Sequence, residues 1–223
     1  MVEVVRPSGG VVADVATGAG HTAYVFAPHV DRVIATDITE DMLRVTRTAA
    51  AERHIENLDV LFAAAEYLPF QTGTLTGVTC RMGAHHFVNV PKFLQESRRT
   101  LNEEGWFLLV DTIGSEDDEA DAQVDLMERL RDPSHMRNYK RSQWLAMAKA
   151  AGFRVILDEV VPKIIDAKDW MDRMNVPKDD QERLTAMIEN ADGQFARYLS
   201  AEEQNGRLQF HLDELLMFAR VSR

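Results

Sequence analysis

The sequence predicts an α/β protein with a seven-stranded, mostly parallel sheet, helices on both faces and helical insertions near the C-terminus. Three observations carry this expectation. Short β-branched runs alternate with longer helical patterns over the first 110 residues, as parallel strands joined by crossover helices do. A glycine turn follows the first run, and an acid ends the second. After Val110 the rhythm changes to long helical patterns that precede two last strands.

Val11–Val15 reads as the first strand, followed by the turn Thr17-Gly18-Ala19-Gly20 and a helix through Phe26. Val33–Thr36 is the second strand. The helix after Asp37 has an acidic first turn, Glu40 and Asp41, which suits the helix dipole, and Met42, Val45 and Ala49 follow helical spacing as its apolar positions. Leu58–Phe62 and Gly77–Cys80 are the third and fourth strands. Pro91 opens the next helix at its first turn, and that helix runs to Leu101. Trp106–Val110 is the fifth strand.

The acidic run from Glu116 to Asp121 suits the N-terminus of a polar helix over Asp117–Leu130. Pro133 disfavours helical backbone at Asp132, so this helix is expected to break into a loop there. Ser142–Ala151 is helical with Trp144, Leu145 and Ala148 on one face and Gly152 past its end. Phe153–Val160 and Leu215–Val221 read as strands that pair at the sheet edge. Residues 166–200 between them form a Met- and Asp-rich helical insertion.

Composition narrows the function classes. The 223 residues are 45% hydrophobic and 27% charged, which excludes disordered and collagen-like chains. A net charge of −11, with both halves acidic, supplies no surface that neutralises phosphates, so no nucleic-acid partner is expected. The lone Cys80 suits a reducing compartment. No apolar stretch approaches the ~20 residues of a membrane span, and the first residues do not read as a secretory signal. A cytoplasmic protein is expected.

The first candidate site is Asp14-Val15-Ala16-Thr17-Gly18-Ala19-Gly20. Glycines after a strand let a ligand approach the backbone closely, and Asp37 at the end of the second strand is placed to accept from two ribose hydroxyls. Gly18-x-Gly20-x-x-Ala23 also fits the dinucleotide fingerprint, and an ordinary tight turn is the plainer alternative. Asp14 decides between ligands: an acid facing the site suits a cationic amino group better than a pyrophosphate.

Val12 to Gly20, then Ile34 to Leu43, then Ala65-Glu66-Tyr67-Leu68-Pro69-Phe70 resemble the successive motifs of class I S-adenosylmethionine-dependent methyltransferases. They are most similar to the small-molecule branch that includes the ubiquinone and menaquinone C-methyltransferases. Thr79 to Phe87, the turn Leu101-Asn102-Glu103-Glu104-Gly105, Asp111, and Arg131 to Arg137 extend the resemblance. It implies a Rossmann-like sheet and a single domain over 1–223. Within that domain, 1–115 would be the cofactor-binding half, and 116–150 and 162–206 the helical insertions that form the acceptor site.

The resemblance also implies S-adenosylmethionine as cofactor and S-adenosylhomocysteine as product. Asp14, Thr17, Gly18 and Gly20 would receive the methionine moiety, and Asp37 would hold the ribose. Ile38 and Met42 would pack on the adenine, with Met42 as plain core the alternative. Ala65 and Glu66 would lie at the adenine edge, and Arg81, at the carboxyl edge of the fourth strand, would be a further cofactor-binding residue. Two departures stand out: Ala64 occupies a position where relatives often carry an Asp, and only about ten residues precede the first strand.

Transfer of an activated methyl needs alignment more than acid–base chemistry, and a base only where the acceptor must lose a proton. His85 and His86 follow the fourth strand, and His135 lies in the later loop. These are the catalytic candidates, with hydrogen bonding to backbone as the alternative. Arg131 and Arg137 are candidates for binding an anionic acceptor, or for pairing with nearby acids. No metal is expected, since no Asp-Asn pair accompanies Asp111. The insertion with Trp170, Met171 and Phe195 is expected to pack on its own domain, to shape the acceptor pocket, or to form a homodimer face. The expected function is methylation of a small molecule, with a catalytically weak or inactive binding module second and an NAD-dependent oxidoreductase third.

Overall fold

The computed structural model describes residues 1–222. The elements are, in chain order, α1 (Val2–Val5), β1 (Val11–Val15), α2 (His21–Phe26), β2 (Arg32–Asp37), α3 (Glu40–Glu52), β3 (Leu58–Phe62), β4 (Leu75–Arg81), α4 (Val90–Thr100) and β5 (Leu101–Thr112). There follow α5 (Asp118–Arg131), α6 (Arg141–Ala150), β6 (Phe153–Asp166), α7 (Ala167–Asp172), α8 (Lys178–Glu189), α9 (Gly193–Leu199), β7 (Glu202–Gln204) and β8 (Arg207–Val221). The strands form one sheet in the order β3-β2-β1-β4-β5-β8-β6, with β7 on β8. The pairs among β1 to β5 are all parallel. The order turns at β1 and β4, the switch point where such sheets bind ligands beyond the carboxyl ends of their strands.

The chain forms two compact units. The first comprises residues 1–111, 145–159 and the segment from Leu216 onward; the second comprises 112–144 and 160–215. On one side of the first unit's sheet, Val12, Val33, Ala35 and Leu108 pack with Phe26, Ala23 and Val30. Gly77 lies opposite Trp106 in the strand register. Its missing side chain makes room for the indole, which stacks on Phe26 at 5.5 Å. The second unit has its own core, in which Val124 and Met127 of α5 meet Trp170, Leu184, Phe195 and Phe210.

Two local expectations need correction. In α3 the buried positions are Leu43, Thr46 and Ala50, whereas Met42 and Val45 are 40% and 48% exposed. The inward face is shifted by one residue because the Thr46 hydroxyl is needed inside, where it donates to Gly18 O at 2.7 Å. Strand β5 begins at Leu101, earlier than expected, yet Leu101–Gly105 still turns within it: a Cβ at Gly105 would stand 2.9 Å from Leu101 Cβ, and Asn102 Oδ1 accepts from Glu104 N at 3.0 Å. Pairing jumps from Leu75 with Leu101 to Gly77 with Trp106, so the glycine and its polar neighbours are taken up by a bulge. Strands β6 and β8 also run well beyond the segments expected for them.

A Cβ at Gly77 would stand 2.2 Å from the Trp106 ring. Gly77→Ala is therefore expected to lower the unfolding free energy by about 1–3 kcal/mol through overpacking. Denaturant unfolding checks this, and a variant as stable as wild type would contradict the packing described.

Candidate functional site

The turn after β1 is built around a buried acid. Asp14 is 1% exposed, and its Oδ2 accepts from the Thr17 hydroxyl at 2.6 Å and from Ala23 N at 3.1 Å. Its Oδ2 is thus engaged in holding the turn. Burial pushes its pKa up to about 7. Thr17 N donates to Thr36 O at 2.9 Å, which ties the turn to β2. Gly20 is left-handed, with φ of 84°, and a Cβ there would stand 2.5 Å from the Tyr24 ring and 2.8 Å from Thr46. Glycine is required at this position on both counts.

Gly18 is also left-handed, but a Cβ on it would meet nothing within 4 Å. The space in front of the turn is therefore open. Asp37, at the end of β2, is 8% exposed. Its Oδ2 accepts from Gly18 N and its Oδ1 from Thr39 N, both at 2.9 Å. Each oxygen has one backbone donor and retains capacity for a second.

Beside this carboxylate the chain leaves apolar surface uncovered. Ile38 is 65% exposed and Met42 40%, so Met42 is not plain core. Phe62, level with Asp37 in the β2/β3 register, is 58% exposed. The sequence reading missed Phe62 as a site residue; its signal was an aromatic at the end of a short edge strand. Ala65 is buried, while Glu66 Oε1 accepts from Asn89 N at 3.1 Å at the start of α4.

A second group lies after β4. Arg81 is exposed at the strand end, and its charge acts on Asp14. Gly83 brings this loop against the glycine turn, since a Cβ there would stand 2.8 Å from Ala16 Cβ. His85 Nδ1 lies 2.6 Å from Oδ1 of Asp111, which is fully buried. Asp111 Oδ2 accepts from the backbone N–H groups of Ala84 at 2.6 Å and His85 at 3.2 Å. The ring of His86 is 4.1 Å from that of His85 between centroids. Asp111, which the sequence marks as part of the resemblance and as lacking metal partners, is thus the anchor of His85.

The other candidates belong to the second unit. Arg131 lies 4.8 Å over the Trp170 ring and donates to Trp170 O at 3.1 Å, so its guanidinium serves packing. Arg137 is 3.6 Å from Asp121, and the buried His135 is 3.6 Å from Asp125. The loop after α5 forms as expected, with Asp132 Oδ1 accepting from the backbone and hydroxyl of Ser134. A wide depression of about 790 Å³, lined by Glu103, Phe153, Arg154 and Arg220 among others, lies at the starts of β5 and β6. It is remote from the carboxyl ends where Asp37, Arg81 and Asp111 gather.

Asp14→Asn keeps an oxygen for Thr17 and Ala23 but cannot titrate. The native carboxyl titrates near pH 7 and an unperturbed one near 3.8. Between those values the native state holds a proton that the unfolded chain releases, so this group's stabilisation is present at low pH and lost as pH rises. Urea unfolding is therefore expected to show Asp14→Asn gaining on wild type by a few kcal/mol between about pH 4 and pH 8. Parallel pH dependences would contradict the burial of this acid.

The arrangement fits a nucleoside sulfonium: open space at a glycine backbone, a carboxylate with spare acceptor capacity, and exposed apolar side chains for a flat base. Residues 13–109 match a family described as a methyltransferase domain. The chain is 37% identical over 182 residues to an uncharacterised methyltransferase, YcgJ, of Bacillus subtilis strain 168, covering 81% of this chain and 71% of that protein. A candidate methyltransferase of known structure from Bacillus halodurans C-125 superposes with a TM-score of 0.95 at 35% identity, covering 100% of this chain and 97% of that one. The UbiE ubiquinone/menaquinone biosynthesis C-methyltransferase of Hydrogenovibrio crunogenus is 35% identical over 111 residues, 48% of this chain and 43% of the relative. These likenesses set aside the dinucleotide reading of the glycine turn: the chain belongs to the class I S-adenosylmethionine-dependent methyltransferases.

Proposed function

We propose that the chain methylates a small-molecule acceptor by in-line displacement, with Asp37 as the residue on which cofactor binding turns. The observation that carries the cofactor's placement is the carboxylate of Asp37 beside the open Gly18 backbone, since both groups stand at the carboxyl ends of adjacent strands, β2 and β1, next to the switch point. Asp37 would accept from the ribose hydroxyls, and the turn from Thr17 to Gly20 would lie along the methionine moiety. Ile38 and Met42 would cover the adenine, and the backbone of Ala65 would read its edge. Asp14 acts through the turn that it holds. Bound S-adenosylmethionine supplies a methyl group on a positively charged sulfur, which is already activated for displacement.

The chain's own contribution is then alignment and exclusion of water. Arg81, exposed at the end of β4, is available to an anionic group on the acceptor. The net charge of −11 weighs against a nucleic-acid acceptor. The partial likeness to enzymes named for ubiquinone and menaquinone biosynthesis supports a small organic molecule. No helix of the described residues is long and apolar enough to cross a membrane.

Calorimetry with S-adenosylmethionine and S-adenosylhomocysteine tests the cofactor site. Asp37→Ala is expected to weaken binding by about 1–3 kcal/mol, or roughly 5- to 150-fold. Absence of wild-type binding at millimolar concentrations, or an unchanged affinity in the variant, would overturn the assignment. Labelled methyl transfer into small molecules of a metabolite extract tests the acceptor class, and labelling of nucleic acid alone would contradict it.

A further inference from the structure

Resting on the methyl-transfer reading, we infer that His85 and Asp111 form a proton-accepting pair, so the acceptor is a molecule whose nucleophilic atom carries a proton: an acidic hydroxyl or an acidified carbon. A thioether or tertiary amine, which has no proton to lose, does not use such a pair. The inference starts from the donors and acceptors around Asp111. Its Oδ2 faces two backbone N–H groups, those of Ala84 and His85. Backbone amides can only donate, so they fix the orientation of the carboxylate and leave Oδ1 facing His85 Nδ1 at 2.6 Å. An ionised carboxylate can only accept, so neutral His85 carries its proton on Nδ1 and its lone pair on Nε2.

The pair is shielded: the Asp111 side chain is wholly buried and that of His85 is 14% exposed. A carboxylate held there stabilises the imidazolium once a proton arrives. The location suits the chemistry, because Gly83 seats this loop against Ala16 of the glycine turn. The neighbouring His86 ring lies 4.1 Å away between centroids.

In the step, the acceptor's O–H or C–H proton passes to His85 Nε2. The electron pair left on the acceptor forms the new bond to the methyl carbon as the carbon–sulfur bond breaks and its pair stays on sulfur. The products are the methylated acceptor, S-adenosylhomocysteine and the His85 imidazolium, which returns its proton to solvent. Asp111 touches no reacting atom and is a positioning residue.

Two variants separate catalysis from simple structural pairing. In His85→Asn the amide nitrogen can stand where Nδ1 stands and still donate to Asp111, while the base is gone. It is expected to fold and to bind S-adenosylmethionine as wild type does, with labelled methyl transfer into extract metabolites lowered about 100-fold or more. In Asp111→Asn the amide oxygen must take the Ala84 and His85 N–H groups, so its NH₂ faces Nδ1 and drives the His85 proton onto Nε2. Nitrogen-15 NMR of the full chain, which needs no cofactor, is expected to show neutral His85 protonated on Nδ1 in wild type and on Nε2 in Asp111→Asn. Wild-type transfer rates in His85→Asn, a wild-type proton on Nε2, or a labelled product that is a methylsulfonium or quaternary ammonium would each overturn the inference. Failure of wild type to bind S-adenosylmethionine would instead overturn the methyl-transfer reading and leave the tautomer result standing.

Discussion

Two backbone N–H groups, those of Gly18 and Thr39, converge on the single carboxylate of Asp37, and the arrangement of the site depends on that convergence. Hydrogen bonds to a charged group contribute roughly 1.5–3 kcal/mol each, enough to hold a left-handed turn whose backbone would otherwise be free. Through them the end of β1 is locked to the end of β2. Thr46 adds a second hold by donating to Gly18 O, and Tyr24 in turn donates to Thr46 O at 3.0 Å. The turn is gripped from both sides, yet its open face at Gly18 meets no protein atom.

The same logic recurs one strand pair further along the sheet. Asp37 orders the turn after β1, and Asp111 at the end of β5 orders the loop after β4. In both places an acid at a strand end accepts from two backbone donors and so fixes the loop that carries them. Gly83 packs the two ordered loops together. The carboxyl edge of the first unit thereby presents an acceptor-rich half at Asp37 and a half where Asp111 holds the His85 ring.

Much of this was legible in the sequence because it is local. Strand β1, the glycine turn and Asp37 announce themselves by spacing alone, as do the break at Asp132 and the left-handed Gly152 after α6. What was not legible required knowing what lies across space. The inward face of α3 follows Thr46 and not the apolar series Met42, Val45 and Ala49, because a hydroxyl was needed at Gly18. That Asp14 also braces the turn through Oδ2 depends on Thr17 and Ala23 folding back onto it. The turn at Leu101–Gly105 forms as its glycine suggests, but nothing local shows that β5 already begins at Leu101, paired with Leu75. The partner of His85 lies 26 residues away, and no periodicity points to it. In the second unit Arg131 suggested anion binding, whereas Trp170 claims both its face and one of its donors.

The central claim is that the cofactor lies at the carboxyl ends of β1 and β2, held by Asp37 and facing His85. A crystal structure of the chain with S-adenosylhomocysteine bound tests it most directly. The account predicts ribose hydroxyls on the Asp37 carboxylate, adenine against Ile38 and Met42, and sulfur turned toward the loop that bears His85. Density for the ligand in the depression lined by Phe153 and Arg220, or a ribose with no contact to Asp37, would contradict it.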